Sequence, residues 1–127
     1  MKVGSFLLCR SAVMRPDGSF DIEQSDLAES VESVFPAQLR LAAVLVLEAE
    51  PGERGPQRLE ISLRDAHATP LRRWPFSFAL KEGQRGARLV LNLKEAEVPA
   101  PGEYLVVLKV NGRPVSPAKT FKALGAA

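Results

Sequence analysis

The feature of this sequence that most restricts its fold is a period-two alternation of apolar and polar residues. In the clearest segment, Leu59, Ile61 and Leu63 alternate with charged or polar residues. The same alternation recurs in three later segments, 73–80, 88–94 and 104–110. Successive side chains of a β-strand point to opposite faces of the sheet, so each segment predicts a strand with one apolar face. The chain is therefore expected to form antiparallel strands over a single core.

Turn residues separate these segments. Proline and glycine cluster between the apolar runs at five places, 16–18, 51–56, 82–86, 99–102 and 111–112. Asn111-Gly112 is the strongest hairpin signal, because both residues tolerate the positive φ angles of a type I′ turn. Residues 39–47 are apolar on both faces, which predicts a central strand. Pro75 lacks the N–H that a strand ladder needs, so its strand is expected at a sheet edge or at a bulge.

Together these signals predict a single all-β domain over residues 1–127, a length close to that of one domain. About seven or eight short strands at near-regular spacing favour an antiparallel, immunoglobulin-like β-sandwich. Segment 25–34 is the exception, because Leu27, Val31 and Val34 have helical spacing behind Ser25, a residue type that caps helices. A short helix and a crossover loop fit this segment equally well.

The composition is that of an ordinary globular protein and offers few residues for catalysis. Hydrophobic residues make up 46% of the chain and the formal net charge is +2, which excludes a disordered chain. One Cys and one His are too few for a disulfide framework within the chain, a His-rich metal cage or a catalytic triad. The sequence contains no Gly-rich phosphate loop and no G-x-S-x-G motif. We therefore expect no enzyme activity, no cofactor and no metal site.

Two residues with reactive side chains are interpreted structurally. Cys9 lies in the first apolar run and is expected to pack as a small buried hydrophobe. His67 lies in a turn between two predicted strands, where we expect it to be solvated. Nothing in the spacing of the two residues brings a base to the thiol.

Neither the N-terminus nor the longest apolar run has the pattern of a membrane or secretion segment. The run 3–9 is broken by Gly4-Ser5 and closed by Arg10, so it predicts a first strand rather than a signal peptide. The run 39–47 is much shorter than the roughly 20 residues that span a bilayer. We expect a cytoplasmic protein, and an unbridged Cys9 fits a reducing compartment.

The near-zero net charge conceals two segments of opposite sign. Residues 17–32 carry six acidic and no basic side chains. Residues 54–94 carry nine basic and three acidic side chains. The candidate acidic binding residues are Asp17, Asp21, Glu23 and Asp26. A solvated acidic surface is favoured over a calcium site, because the spacing of an EF-hand loop is absent.

Arginine supplies most of the candidate basic face, and its guanidinium suits bidentate capture of a carboxylate or phosphate. The candidate basic residues are Arg58, Arg64, Arg72, Arg73, Arg88 and Lys94. Strand alternation predicts that Arg58, Arg64, Arg88 and Lys94 share one exposed sheet face. Trp74 has core spacing in its strand, so its ring is expected inside.

Several stretches resemble a family of small uncharacterised bacterial proteins that share a domain of unknown function. The resemblance is carried by Val3–Cys9, by Phe35-Pro36-Ala37-Gln38-Leu39, by Leu59-x-Ile61-x-Leu63-x-Asp65 and by Pro101-Gly102-Glu103-Tyr104. It implies an immunoglobulin-like sandwich and no known activity.

The first hypothesis for function is a small non-catalytic protein-interaction module, with self-association through complementary charged faces. The alternative is binding of a ligand or carbohydrate through loops at one end of the sandwich. An enzyme is the least favoured. Nucleic acid is disfavoured as a partner, because the net charge is only +2 and aromatic residues make up 6% of the chain.

Overall fold

A computed structural model describes residues 1–126, without the side chains of residues 116 and 117, and these residues form twelve strands. The strands are β1 (Lys2–Cys9), β2 (Ser11–Met14), β3 (Phe20–Glu23), β4 (Glu29–Glu32), β5 (Ala37–Leu39), β6 (Ala42–Glu48), β7 (Gly55–Asp65), β8 (Pro70–Leu80), β9 (Gly86–Asn92), β10 (Ala96–Val98), β11 (Gly102–Val110) and β12 (Arg113–Gly125). The predicted all-β class is confirmed. None of the described residues forms a helix of the length and apolarity needed to cross a membrane.

Two larger sheets account for most of the strands. The first has five strands in the order β4-β12-β11-β7-β8, and the second has three in the order β1-β6-β9. Two-stranded pairs, β5 with β10 and β2 with β3, complete the described part of the chain. The strand count exceeds the predicted seven or eight, because β2, β3, β4, β5 and β10 have only three or four residues each. Runs this short are too brief for alternation to reveal.

The main core lies between the five-stranded and three-stranded sheets. The alternating residues Leu59, Ile61 and Leu63 are all buried, as their spacing predicts. Leu45 of β6 and Leu8 of β1 belong to the same cluster, so the three-stranded sheet contributes its own apolar face. The sandwich-like arrangement expected from the sequence is therefore present.

The β2–β3 hairpin forms a third layer over the three-stranded sheet. A second apolar cluster contains Cys9, Ala12, Ala42 and Val44. Phe20 and Ile22 of the hairpin and Leu7 and Val90 of the sheet pack around it while remaining partly exposed. Cys9 and Val44 alternate with residues of the main core, so this sheet is apolar on both faces because both faces are covered.

Segment 25–34 contains a strand where the sequence left open a short helix. Residues Glu29–Glu32 form β4, which runs parallel to the end of β12. Arg10 donates a hydrogen bond to Ser30 Oγ at 3.0 Å, and the Lys122 amide donates to the Ala28 carbonyl at 2.9 Å. The helical spacing was misleading because the segment crosses from the hairpin to the edge of the five-stranded sheet. There, pairing with β12 outweighs the local preference for a helix. Leu27 is buried, whereas Val31 is exposed.

Three local predictions are confirmed. Asn111 and Gly112 have φ angles of 51° and 81° between β11 and β12, as a type I′ turn requires. β6 lies at the centre of the three-stranded sheet, and β8, which contains Pro75, lies at an edge of the five-stranded sheet.

The Tyr104 ring is buried, and its hydroxyl donates a hydrogen bond back to the Ala100 carbonyl, a link also used at the corners of β-sandwiches.

Candidate functional site

The candidate site is the free edge of β8. This strand pairs antiparallel with β7 along one side from Leu80 to Pro70. No described strand pairs with its other side, because β8 ends the order of the five-stranded sheet. With eleven residues, it is much longer than β4, the four-residue strand at the opposite edge. A long unpaired strand presents a row of backbone N–H and C=O groups to other chains.

The backbone hydrogen bonds of β7 determine which residues of β8 face outward. The Asn111 amide donates to the Arg58 carbonyl at 2.7 Å, and the Arg58 amide donates to Asn111 Oδ1 at 2.9 Å. Even-numbered residues of β7 therefore direct their backbone groups towards β11, and odd-numbered residues direct theirs towards β8. Across the pair, Leu59 is opposite Phe76 and Ile61 is opposite Trp74. Phe76 and Trp74 thus bond to β7.

The alternate residues of β8 consequently direct their backbone groups to the free edge. They are Arg73, Pro75, Ser77 and Ala79. These residues offer four carbonyl acceptors but only three N–H donors, because Pro75 has none. In an edge strand, proline is tolerated where the N–H that it lacks would have pointed to the unpaired side. Pro75 has this position in the register of β7 and β8.

A cleft of about 890 Å³ lies beside β8 on the outer face of the five-stranded sheet. Its lining includes Arg58, Glu60, Pro75, Ser77 and Lys109. The side chain of Arg58 lies on β7 directly across from Ser77, and Glu60 lies across from Pro75. This surface therefore combines free backbone groups with two basic side chains and one acidic side chain.

A second cleft of about 500 Å³ lies on the other side of β8, where the two large sheets open. Trp74, Phe76 and Lys94 are among its lining residues. The Trp74 ring is buried, as predicted, and its Nε1–H donates to the Lys94 carbonyl at 2.8 Å. Phe76 is only partly buried, so an apolar surface remains open at this side of the strand.

The predicted basic residues do not share one face. Arg58, Arg64 and Arg73 lie on β7 and β8 with side chains on the outer face of the five-stranded sheet. Arg88 lies on β9 in the other sheet, where its Nη1 donates to the Gly18 carbonyl at 2.7 Å. Lys94 follows β9 in a turn. The prediction of a common face for Arg58, Arg64, Arg88 and Lys94 was wrong because alternation gives a side chain's face only within its own sheet.

Arg72 is also separated from Arg73, its neighbour in sequence. Adjacent residues of a strand face opposite sides, so Arg72 shares the inner side with Trp74. Its guanidinium lies 6.0 Å from the centre of the Trp74 ring, and its Nη2 lies 2.9 Å from Glu95 Oε2. The charge of Arg72 is therefore matched within the chain.

Two of the four predicted acidic residues are matched by basic side chains as well. Asp21 accepts hydrogen bonds from Arg15, and these lower the pKa of the Asp21 carboxyl. Glu23 accepts hydrogen bonds from Ser11 at 2.9 Å and from Arg40 at 3.2 Å, and the Ser11 bond is the larger cause of its lowered pKa. Both lie on the exposed face of β3, as alternation predicts. The basic partners come from outside the acidic segment, so its sequence concealed them.

The other two acidic candidates flank β3, with Asp17 in a turn before it and Asp26 in a bend after it. The Asp17 carboxylate accepts hydrogen bonds from the Ser19 hydroxyl and amide, which lower its pKa. Asp26 lies in a bend with a φ of 51°. Within residues 1–126, no group of three or more His, Cys, Asp or Glu residues is arranged to hold a metal ion.

Cys9 and His67 lie in different parts of the fold. Cys9 is buried, as predicted, with its Sγ 3.5 Å from the Ala42 carbonyl oxygen, and burial raises the pKa of its thiol. His67 is exposed in the turn between β7 and β8, also as predicted, and its amide donates to Asp65 Oδ1 at 2.9 Å. A buried thiol with a raised pKa is a poor nucleophile.

Comparison with known proteins places the chain in a family. The model of the Family of unknown function (DUF6941) matches residues 5–119. The chain belongs to this family. The resemblance to uncharacterised small domains is thereby confirmed. None of the curated proteins matches the chain significantly.

In this DUF6941 chain, sequence reasoning found Pro75 as an edge marker but missed the roles of Ser77 and Lys109. Ser77 offers a free N–H at the edge, and Lys109 reaches the outer cleft from β11. The signal for Ser77 was available, since it lies two residues from Pro75 and so points to the same side. Lys109 carried no such signal, because its position depends on which strand pairs with β7.

Proposed function

We propose that this chain is a small non-catalytic protein-interaction module that binds an extended segment of a partner protein along β8. The observation that supports this function is the unpaired side of the eleven-residue edge strand. Addition of a strand to an exposed sheet edge is a recurrent mode of peptide recognition. The main-chain hydrogen bonds provide affinity, and the clefts on either side of the strand provide specificity.

The free groups of β8 set the scale of the interaction. Three N–H donors and four C=O acceptors between Arg73 and Ala79 lack a neighbouring strand among the described residues. Each hydrogen bond formed in water contributes about 0.5–1.5 kcal/mol net, so the backbone alone supports a weak to moderate affinity. Side chains that enter the two clefts supply the remainder.

Proteins with a long free strand usually protect it against indiscriminate pairing. Pro75 removes one donor at the middle of β8, and Arg73 adds a charge beside it. Proline and positive charge are two of the devices that limit aggregation at edges. With these two features the edge can still pair with another strand, but it favours a partner of suitable charge.

A partner protein is favoured over a second copy as the occupant. Two antiparallel copies of β8 would bring Arg73 side chains of the same sign to one interface, and like charges disfavour such pairing. The acidic hairpin of a second copy is also a poor complement, because Asp21 and Glu23 already pair with Arg15 and Arg40. Sedimentation at low and high salt separates the two cases, since a concentration-dependent dimer would identify self-association.

The alternative, a ligand or carbohydrate bound by end loops, is supported by a cleft of about 560 Å³ between residues 48–54 and 82–85. The residues that line it include four glutamates and no aromatic side chain. Small-molecule sites are mostly lined by hydrophobic and aromatic residues, so this cleft supports the alternative less well than β8 supports strand addition.

A non-catalytic role in the cytoplasm is part of the proposal. Cys9 is buried and His67 is solvated in a different part of the fold, so the two do not form a nucleophile with a general base beside it. The unbridged thiol of Cys9 suits a reducing compartment.

The test is affinity capture from an extract of the native cell with three forms of the chain: native, Ser77→Pro and Ser77→Ala. Proline at position 77 removes an outward N–H and leaves the bonds to β7 in place, whereas alanine keeps that N–H. We expect a partner that the native and Ser77→Ala forms retain and that Ser77→Pro retains about tenfold less. The same set of captured proteins for all three folded forms would overturn the proposal.

A further inference from the structure

Resting on strand addition at β8, we infer the chemistry of the partner: an extended segment with two acidic residues four positions apart, a neutral residue midway between them, and apolar residues at the alternating positions. The acidic residues lie on the outer face of the five-stranded sheet, and the apolar residues lie on the inner side. The inference follows from the side chains that the register of β7 and β8 places behind each position of the edge.

The first acidic position lies beside Arg73. The side chain of Arg73 is exposed on the outer face, in the strand that an added segment would adjoin. No described carboxylate lies within salt-bridge distance of it, in contrast to Arg72, which pairs with Glu95. An acidic residue directly opposite Arg73 in the added strand is therefore favourable.

The second acidic position lies beside Ser77. Arg58 of β7 lies directly behind Ser77, and it too has no described carboxylate within salt-bridge distance. Neighbouring strands are about 4.8 Å apart, so an added strand lies about 10 Å from β7, a distance that an arginine and a glutamate span together. The small side chain of Ser77 leaves the path between them open.

The partner residue between the two acidic positions faces a negative charge of β7 and not a positive one. Glu60 of β7 lies behind Pro75, so an acidic residue opposite Pro75 would meet a like charge. Because Arg73 and Ser77 are four residues apart, the two acids of the partner are four apart in either strand direction. The neutral residue is the one midway between them.

The inner side of the added strand meets a surface whose apolar part is formed by aromatic rings of β8. The cleft there is lined by Trp74 and Phe76, and Phe76 is only partly buried. Its other lining residues include Asn92, Lys94 and the ion pair of Arg72 with Glu95. Phe78, two residues further along β8, is partly buried as well. Side chains of the partner that point inward therefore complete the apolar packing between the two sheets, which favours residues such as valine.

The probe is a nine-residue peptide with blocked ends in which valine occupies the even positions, glutamate the third and seventh, and threonine the others. Binding is measured by calorimetry and by the amide chemical shifts of the isotope-labelled chain. We expect shifts centred on Arg73, Ser77 and Ala79, and binding at least tenfold weaker for a peptide with lysine in place of both glutamates.

Charge reversal in the protein tests the same contact from the other side. Arg73→Glu should weaken binding of the glutamate peptide about tenfold and improve binding of the lysine peptide. Lys2→Glu makes the same change of charge on β1, in the other sheet, and should leave both affinities unchanged.

Backbone methylation tests the strand register. We expect antiparallel addition, in which the groups of the added strand that bond to β8 belong to the residues opposite Arg73, Pro75 and Ser77, which include both glutamates. In a parallel added strand these groups would belong to the valines between them, and the effects of methylation would be reversed. N-methylation of the two glutamates should abolish binding. N-methylation of the two central valines, whose amides point away from β8, should leave it within about twofold.

The outcomes separate this inference from the proposed function. Equal binding of the glutamate and lysine peptides, with the methylation effect intact, overturns the acidic pattern and supports strand addition. The same conclusion follows if neither peptide binds at about 1 mM while Ser77→Pro still loses a captured partner. If methylation of the glutamate amides and methylation of the valine amides change binding equally, both the acidic pattern and strand addition at β8 are overturned.

Discussion

The outer faces of the two large sheets differ in one respect, which is whether another layer covers them. The β2–β3 hairpin covers the outer face of the three-stranded sheet, so Cys9 and Val44 are buried there. No described layer covers the outer face of the five-stranded sheet, and Leu105 and Val107 of β11 remain partly exposed. Similar strands thus have a buried or an accessible face according to what the rest of the chain places on them.

This difference assigns separate tasks to the two sheets. The three-stranded sheet contributes one face to the main core, and the hairpin covers its other face around Cys9 and Val44. The five-stranded sheet contributes one face to the core and keeps one face and one edge accessible. The following predictions test this division, beginning with the largest expected effect.

Serine-to-proline changes on neighbouring strands should have very different costs. Ser62 of β7 lies opposite Val107 of β11 and directs its N–H into that ladder, whereas the N–H of Ser77 points to the free edge. Ser62→Pro should lower the free energy of unfolding by about 3 kcal/mol or more, and Ser77→Pro by less than about 1 kcal/mol. Urea unfolding measures both, with Ser62→Ala as the control for the lost hydroxyl. Similar costs for the two prolines would mean that the edge of β8 is not free.

Truncation of valine on the two outer faces should also give unequal results. Val44→Ala removes two methyl groups from beneath the hairpin and should cost about 2 kcal/mol. Val107→Ala removes the same groups from the uncovered face and should cost less than about 1 kcal/mol. Thermal and urea unfolding provide the comparison. A larger loss at Val107 would show that a further layer covers the five-stranded sheet.

Access to Cys9 reports on the cover itself. The thiol is buried and its pKa is raised, so it should react slowly with a thiol reagent such as an aromatic disulfide. Phe20→Ala weakens the packing of the hairpin on the sheet and should speed the reaction about tenfold by local opening. Phe78→Ala, on β8 of the other sheet, is the control and should leave the rate nearly unchanged. Equal acceleration by both variants would indicate global rather than local opening.

The smallest effect concerns the ion pair on the exterior of the hairpin. The hydrogen bond from Arg15 lowers the pKa of Asp21 below its ordinary value of 3.8. The contribution of the pair is therefore present at neutral pH and is lost as the pH falls through the lowered pKa. Titration of the Asp21 carboxyl by NMR should show the low pKa, and Arg15→Ala should raise it. Arg113→Ala, at the start of β12, should leave that titration unchanged.

The sequence predicted the strands of the main core well, because long alternating runs record which face is buried. Leu59, Ile61 and Leu63 alternate over one long strand, β7. Asn111-Gly112 specifies the turn between β11 and β12 by backbone conformation alone. Strand β4 could not be predicted in this way, because its conformation depends on pairing with β12, almost a hundred residues later in the sequence.

The candidate site was predictable only in part. Pro75 identified β8 as an edge strand from the chemistry of one residue. The basic residues were assigned to the wrong common face, because Arg88 lies in a different sheet from Arg58 and sheet membership depends on contacts distant in sequence. The pairing of Asp21 with Arg15 was overlooked because the acidic segment was considered without the residues that precede it.

Trp74 gives the edge strand an intrinsic optical reporter. It is the only tryptophan of the chain, and its indole nitrogen is hydrogen-bonded to the Lys94 carbonyl at the open side of the sandwich. Any molecule that settles against β8 changes the polarity around this indole, so the emission spectrum of the unlabelled protein responds to occupancy. The natural fluorescence can thus screen candidate partners without introducing a dye beside the strand.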